Sequence, residues 1–132
     1  MSKLNEGLVK VPVSLGELID KYTILRIKSD KIADEGKRQE AIKEKDLLLN
    51  EIKTLQLSNV DGFIEDLEQV NRKLWDIEDQ IREKERAKEF DSVFIELARS
   101  VYITNDQRFE VKNKINQTYG SSIKEVKSYE EY

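Results

Sequence analysis

Apolar residues recur along this chain with the period of a helix, most clearly between Leu67 and Arg82. They alternate in steps of three and four, which places them on one side of a helix: Leu67, Val70, Leu74, Ile77 and Ile81. Between these apolar positions lie polar or amphipathic side chains that helix packing alone does not require: Trp75, Glu78, Asp79 and Arg82. The pattern predicts a long helix and makes this stretch a candidate for function.

A strong start signal precedes the first helix. Ser14 and Glu17 have the S-x-x-E spacing of a capping box. In such a box the Ser14 hydroxyl accepts a hydrogen bond from the Glu17 backbone N–H, and the Glu17 carboxylate accepts one from the Ser14 backbone N–H. The helix should run to about Ala33, before Gly36. Its apolar residues are too widely spread for one neighbour to cover. The helix is therefore either central in a bundle or part of a subunit interface.

The same patterning predicts a second and a third helix. The second is expected from Lys37 to about Leu57, and the third from about Gly62 to Lys88. Asp61, in the turn between them, is the expected N-cap of the third helix. At 1.5 Å per residue the third helix is on the order of 40 Å long, which is long for a small domain.

A fourth helix follows a short reversal of the chain. It is expected to begin at a cap formed by Asp91 or Ser92 and to stop at Gly120. A second capping-box pattern, T-x-x-Q from Thr104 to Gln107, indicates a place where this helix could kink or restart.

Both ends of the chain lie outside the predicted helices. Residues 1–13 are expected to form an extended lead-in that packs on the helices, because Pro12 disfavours a helical conformation in the residue before it. Residues 121–132 form a polar tail, in which Ile123, Val126 and Tyr129 recur in steps of three and could dock on the helices. Residues 1–132 have the usual size of one domain.

Composition narrows the classes of function. Charged residues make up 38% of the chain, with 27 acidic and 23 basic side chains and a net charge of −4, so no nucleic-acid partner is expected. Without cysteine or histidine, the commonest zinc ligands and a thiol nucleophile are missing, and we expect no metal and no cofactor. No apolar run approaches the roughly 20 residues of a membrane span. With no signal-peptide core in MSKLNEG, the expected location is the cytoplasm.

Polar groups face one another if the third and fourth helices form an antiparallel hairpin about Phe90. Glu78 then lies near Val101, and Asn71 lies near Arg108. Buried charges are costly unless they are paired. These positions therefore need either partners within the protein or a ligand.

Two interpretations of these groups remain open. In the structural one, Glu78 forms an ion pair with Arg108 or Arg82 and fixes the register of the helices, as polar residues do in coiled coils. In the functional one, cationic and amide groups converge on a phosphate or carboxylate between aromatic walls. We favour the first. The candidate ligand-binding residues for the second are Asn71, Trp75, Glu78, Arg82, Tyr102, Asn105, Arg108 and Lys112.

Four blocks of sequence together resemble a known family. They are VPVSLGELIDKYTILRIK (Val11 to Lys28), LWDIEDQIR (Leu74 to Arg82), FIELARSVYITNDQRFEVKNKIN (Phe94 to Asn116) and GSSIKEVKSY (Gly120 to Tyr129). The family they resemble is an uncharacterised one of small proteins of bacteria and their phages, a domain of unknown function. Its members are often encoded among genes for cell-surface polysaccharide synthesis. The resemblance therefore implies a role near sugar-nucleotide or glycosyl-transfer chemistry, but it names no activity.

The sequence does not match the motifs of two known families of helical enzymes. Magnesium-dependent nucleotide pyrophosphohydrolases carry E-x-x-E before E-x-x-D, whereas here Glu17 and Asp20 precede Glu65 and Glu68. A chorismate-mutase-like dimer would need more cations on its inner faces than this chain supplies. There is no glycine-rich phosphate loop and no nucleophile elbow. We therefore assign no catalytic residue.

The sequence as a whole predicts an all-α bundle built on a long antiparallel helical hairpin. Its expected function is that of a non-enzymatic binding or assembly module, which forms a homodimer, binds a protein partner and is associated with surface-polysaccharide synthesis. The alternative is a small-anion or nucleotide-sugar binding protein that uses the polar groups of the third and fourth helices.

Overall fold

The structure is a computed structural model that describes residues 7–123, 125–128 and 130–131. Four α-helices follow one another: α1 (Leu15–Lys31), α2 (Glu35–Thr54), α3 (Val60–Ala87) and α4 (Ser92–Tyr119). They pack into a bundle, and the described residues contain no strand, so the prediction of an all-α fold is confirmed. Within this part of the chain, no helix is both long enough and apolar enough to cross a membrane.

The shortest helix, α1, is the centre of the bundle, because it packs against α2, α3 and α4. The side chains of the main apolar cluster come from all four helices. Ile19 and Tyr22 of α1 meet Ile52 of α2, Leu67 of α3 and Ile115 of α4. The wide spread of apolar residues on α1 is therefore explained by several neighbours within one chain.

Local capping chemistry sets several of the helix ends, three of them as the sequence predicts. Ser14 accepts a hydrogen bond from the Glu17 N–H at 3.1 Å, and Asp91 accepts one from the Phe94 N–H at 3.0 Å. At the end of α4, Gly120 has a φ of +66°, which a residue without Cβ adopts at little cost. The second half of the predicted capping box does not form, because the Glu17 carboxylate binds Lys112 instead.

Two expectations about helix ends are wrong. Asp61 is not the N-cap of α3. The helix begins at Val60, two residues before the expected start at Gly62, after Asn59 adopts a left-handed conformation with φ +56°. The fourth helix does not break at Thr104, which is completely buried inside an unbroken helix.

The two longest helices, α3 and α4, run side by side in opposite directions. At one end the rings of Phe63 and Tyr119 are 5.9 Å apart, and at the other Lys84 lies 2.9 Å from Asp91. Among the described residues, the ion pairs of α1 that lie nearest the α3–α4 turn join Lys31 to Asp76 of α3 and Asp20 to Arg108 of α4. The outer part of the pair therefore extends beyond α1.

The two ends of the chain differ in how they meet the bundle. Residues 7–13 are exposed, so the expected packing of the lead-in is wrong for most of this stretch, although Leu8 lines a groove between α1 and α2. The tail docks on α4 through Glu125 and Lys127, not through Val126, which is 82% exposed. Residues 1–6, Lys124, Tyr129 and Tyr132 of these predicted segments lie outside the described residues.

The backbones of α1 and α4 come close together at Gly16. Its N–H donates to Asn116 Oδ1 at 2.7 Å. A Cβ built on Gly16 would lie 2.6 Å from the backbone oxygen of Lys112. Only glycine allows this approach, since a backbone atom cannot rotate out of the way.

The substitution Gly16→Ala should destabilise the protein by about 1–3 kcal/mol, because the helices must separate to accommodate the methyl group. Gly62→Ala is the matched control, since a Cβ there meets nothing within 4 Å. It should leave stability unchanged or raise it by up to about 1 kcal/mol. Urea unfolding measures both. Equal effects of the two substitutions would contradict the close approach.

Candidate functional site

A carboxylate is buried where α1, α3 and α4 meet. Asp20 of α1 is 1% exposed and accepts hydrogen bonds from Asn71 of α3 and Arg108 of α4. The Asn71 amide nitrogen lies 2.9 Å from Asp20 Oδ1. The Arg108 guanidinium binds both carboxylate oxygens, with Nε 2.9 Å from Oδ1. This two-pronged pair and the amide donor compensate for burying the charge.

A buried threonine completes the hydrogen bonds around Asp20. Thr23 Oγ1 donates to the Asp20 carbonyl at 2.8 Å and accepts from the Asn71 amide at 3.0 Å. The amide group of Asn71 is therefore held by two oxygens of α1, and its orientation is fixed. These buried hydrogen bonds fix one point of contact between α3 and α1, in addition to the more exposed ion pairs between the two helices.

Lys112 places its ammonium group among three carboxylates. Its Nζ lies 2.8 Å from Glu17, 2.9 Å from Glu125 and 3.9 Å from Asp20. Burial by itself lowers the pKa of Lys112, but the hydrogen bonds to Glu17 and Glu125 and the charge of Asp20 outweigh it, so the pKa is raised. This charge stabilises the fold fully at neutral pH. The contribution is lost as the pH rises through the raised pKa.

The pKa of Arg108 is also raised, mainly by its hydrogen bonds to Asp20, while burial acts in the opposite direction. We call the whole assembly the buried polar cluster, after the buried residues at its centre, while Glu17 and Glu125 at its edge are partly exposed. It consists of Glu17, Asp20, Thr23, Asn71, Arg108, Lys112 and Glu125. Its two cations and three carboxylates leave one net negative charge, so both cations are already neutralised within the protein.

The structure brings together three of the eight residues predicted to form a ligand site. Asn71, Arg108 and Lys112 belong to the buried polar cluster. The other five have no hydrogen bond or ion pair to it among the described residues: Trp75, Glu78, Arg82, Tyr102 and Asn105. A role in ligand binding stays a prediction for all eight.

The predicted ion pair of Glu78 with Arg108 or Arg82 is wrong. Arg108 binds Asp20 instead, and Glu78 and Arg82 form no ion pair with each other. The predictions missed Asp20, which is supplied by α1. A signal for it exists in the sequence, since Gly16, Asp20, Thr23 and Ile27 lie at helical spacing on one stripe of α1. A carboxylate on a stripe that is otherwise small or apolar indicates a buried partner.

The cluster has few means for chemistry of its own. Its carboxylates and cations are engaged with one another, and no cysteine or histidine is present. Across the described residues, no group of three or more acidic side chains is arranged to hold a metal ion. What the geometry does supply is a fixed joint between α1 and the α3–α4 pair.

Removing the charge of Asp20 tests that joint. Asp20→Asn should lower the free energy of unfolding by about 3 kcal/mol or more, because Arg108 loses the partner that compensates for its partial burial. Asp30→Asn is the control, since Asp30 pairs with Arg72 at the surface and its loss should cost less than about 1 kcal/mol. Urea unfolding gives both changes in the free energy of unfolding from the shift of the midpoint, when the dependence of that free energy on urea concentration is the same as in the wild type. A small effect at Asp20 would mean that the joint is not a source of stability.

A second test compares two buried threonines. Thr104 is fully buried, and its hydroxyl has no hydrogen-bond partner in the described part of the chain, whereas the Thr23 hydroxyl has two. Thr104→Val should therefore be neutral or stabilising, because it removes an unsatisfied polar group without changing the shape. Thr23→Val should cost about 1–3 kcal/mol. Thermal unfolding of the pair checks the order. The reverse order would contradict the assignment of the hydrogen bonds.

Comparison with known proteins adds a family but no activity. A model described as a family of unknown function (DUF6165) matches residues 9–132. No curated protein and no solved structure matches the chain. Because the family match extends over nearly the whole sequence, the chain belongs to the DUF6165 family of unknown function.

Proposed function

We propose that this protein is a non-enzymatic helical assembly module that forms a symmetric homodimer. The contact surface lies on the outer part of α3 and α4, residues 78–103, which we call the hairpin arm. The observation that carries the proposal is that none of residues 78–103 is buried, and the structure describes all of them. A helical pair stabilised by packing normally covers one apolar side completely.

The hairpin arm is nevertheless rich in large apolar side chains. Those more than a third exposed are Phe90, Val93, Ile95, Tyr102 and Ile103. Single exposed apolar residues are common, but a group of them on one projecting element is typical of an interaction site. The arm therefore needs a partner that α1 and α2 do not provide.

One side of the arm continues the surface on which α1 packs. On α3, Trp75, Glu78 and Arg82 follow Asn71 at steps of four, three and four, so they share its side of the helix. Asn71 itself contacts α1. Trp75 is half-buried at the level where α1 ends, since Lys31 pairs there with Asp76. Further toward the turn the stripe opens, with Glu78 half-buried and Arg82 exposed.

A matching stripe runs along α4. Ile95, Ala98, Tyr102 and Asn105 lead to Lys112 at helical spacing, and Lys112 contacts Glu17 of α1. We call the open surface formed by the arm residues Glu78, Arg82, Ile95, Ala98 and Tyr102, together with Trp75 just before the arm, the open face. It offers a helix the kind of groove that α1 already occupies nearer the polar cluster.

The charges of the open face suit a second copy of the chain. Neither Glu78 nor Arg82 has a hydrogen bond or ion pair to a described residue. In a two-fold contact, each partner presents the same surface, so Glu78 of one copy can meet Arg82 of the other, and this pairing occurs twice. The arm as a whole carries seven acidic and five basic side chains, so two arms can approach without strong repulsion.

The alternative, a small-anion or nucleotide-sugar site, has less support. The Arg108 guanidinium already binds both carboxylate oxygens of Asp20, and the Lys112 ammonium group contacts three carboxylates. An incoming anion would have to displace these groups and would meet a net negative charge. Any link to surface-polysaccharide synthesis would then come through a protein partner of the module.

Charge exchange on the open face tests the dimer. Light scattering at micromolar concentration should show a dimer for the wild-type chain. Glu78→Arg and Arg82→Glu should each weaken it at least about tenfold, because like charges then face each other across the two-fold axis. The double variant restores both pairs and should recover the dimer. A monomeric wild-type chain would refute the proposal, as would a double variant no better than the singles.

Two apolar positions provide a matched control for the face. Val93 and Ile95 are 52% and 55% exposed but lie on opposite sides of α4. Ile95→Glu should disrupt the dimer, and Val93→Glu should leave it intact. Disruption by Val93→Glu alone would place the contact on the other side of the arm and contradict the assignment of the open face.

A further inference from the structure

A separate surface lies between α1 and α2, away from both the hairpin arm and the buried polar cluster. It is an open groove of about 550 Å³. Leu25 and Ala41 form a nearly covered apolar floor, while Leu8 and Leu47 at the groove are 55% and 44% exposed. Two packed helices with an aliphatic floor between them form the kind of surface that accepts a third helix.

Unpaired cations surround this apolar floor. Lys28, Lys37 and Lys43 all line the groove, and the ammonium group of none of them has an ion pair or hydrogen bond with a described residue. Of the two acidic residues at the groove, Glu44 is paired with Lys21 at 3.2 Å, which leaves Glu40. The groove is therefore locally cationic in a chain whose net charge is −4.

This combination of apolar floor and cationic edge defines the chemistry of the occupant. A nucleic acid would pair with the lysines but would not cover the leucines. An uncharged apolar surface would cover the leucines but would leave the lysines unpaired. An open groove also leaves most of a lipid chain in water. A helix with apolar residues on one side and carboxylates beside them satisfies both parts.

We propose that this groove binds an acidic amphipathic helix of a partner protein. The groove-lining residues of α2 run from Lys37 to Leu47, about 15 Å at 1.5 Å per residue, so the occupant contacts the groove over about three turns. Its apolar residues, spaced i, i+3 or i+4 and i+7, lie on the floor formed by Leu25 and Ala41. Its glutamates and aspartates pair with Lys28, Lys37 and Lys43. This inference does not depend on the proposed dimer.

A synthetic probe of stated chemistry tests the groove in the full-length chain. The probe is a fluorescein-labelled helical peptide of about 14 residues, with leucine on one side, glutamate on both flanks and alanine elsewhere. Fluorescence anisotropy should show saturable binding that weakens with added salt. A matched peptide with lysine in place of every glutamate should not bind.

Charge reversal assigns the binding to this groove. The triple variant K28E/K37E/K43E should bind the acidic peptide at least about tenfold more weakly, which corresponds to about 1.4 kcal/mol. The triple variant K53E/K73E/K114E makes the same change in net charge at exposed lysines elsewhere and should bind like the wild type. Equal losses in the two variants would show unspecific attraction and overturn the proposal.

Three further results would also overturn it. One is the absence of saturable binding to the wild-type chain. Another is binding only after Leu8→Glu, which would assign the groove to the N-terminal stretch of the same chain. The third is peptide binding that dissociates the dimer measured by light scattering, which would assign the groove to a second copy. Peptide binding to an intact dimer supports the proposal, and binding to a monomeric wild-type chain supports it while refuting the dimer.

Discussion

The buried carboxylate of Asp20 is the interaction on which the arrangement of the helices depends. It takes a guanidinium from α4 and an amide from α3, and the neighbouring Thr23 hydroxyl holds the same amide. Apolar contacts between helices tolerate sliding and rotation, whereas a buried charge must meet its donors at one position. Asp20 therefore fixes where α1 crosses the α3–α4 pair. The central apolar cluster around Ile19 and Leu67 is built next to that crossing.

Sequence patterns predicted those parts of the fold that local chemistry decides. Ser14 and Asp91 cap the helices that follow them, and Gly120 ends α4, because each of these signals acts within a few residues. The start of α3 was harder, since Asn59 and Asp61 are both reasonable turn residues. The backbone conformation of Asn59, with φ +56°, places the start of α3 at Val60, and residue type alone does not specify that conformation.

The candidate site was predictable only in part, for a tertiary reason. Helical spacing identified Asn71, Arg108 and Lys112 as polar groups on covered sides of their helices, and all three are in the cluster. Their common partner Asp20 comes from α1, whose crossing angle is not encoded in any local pattern. Without it, Glu78 was the nearest carboxylate that could be assigned to Arg108. Spacing within one helix shows which residues share a side, but not which neighbour that side meets.

The tail makes a different kind of contact from the rest of the molecule. Among its described residues, none is buried, and it is attached by Glu125 to Lys112 and by Lys127 to Asp106, with the Lys127 ammonium also 5.1 Å from the centre of the Phe109 ring. Such partly exposed charge contacts weaken as dissolved ions accumulate around them. The ionic strength of the surroundings thus governs how firmly the segment around Glu125 and Lys127 adheres to the bundle, while the helices themselves stay unchanged.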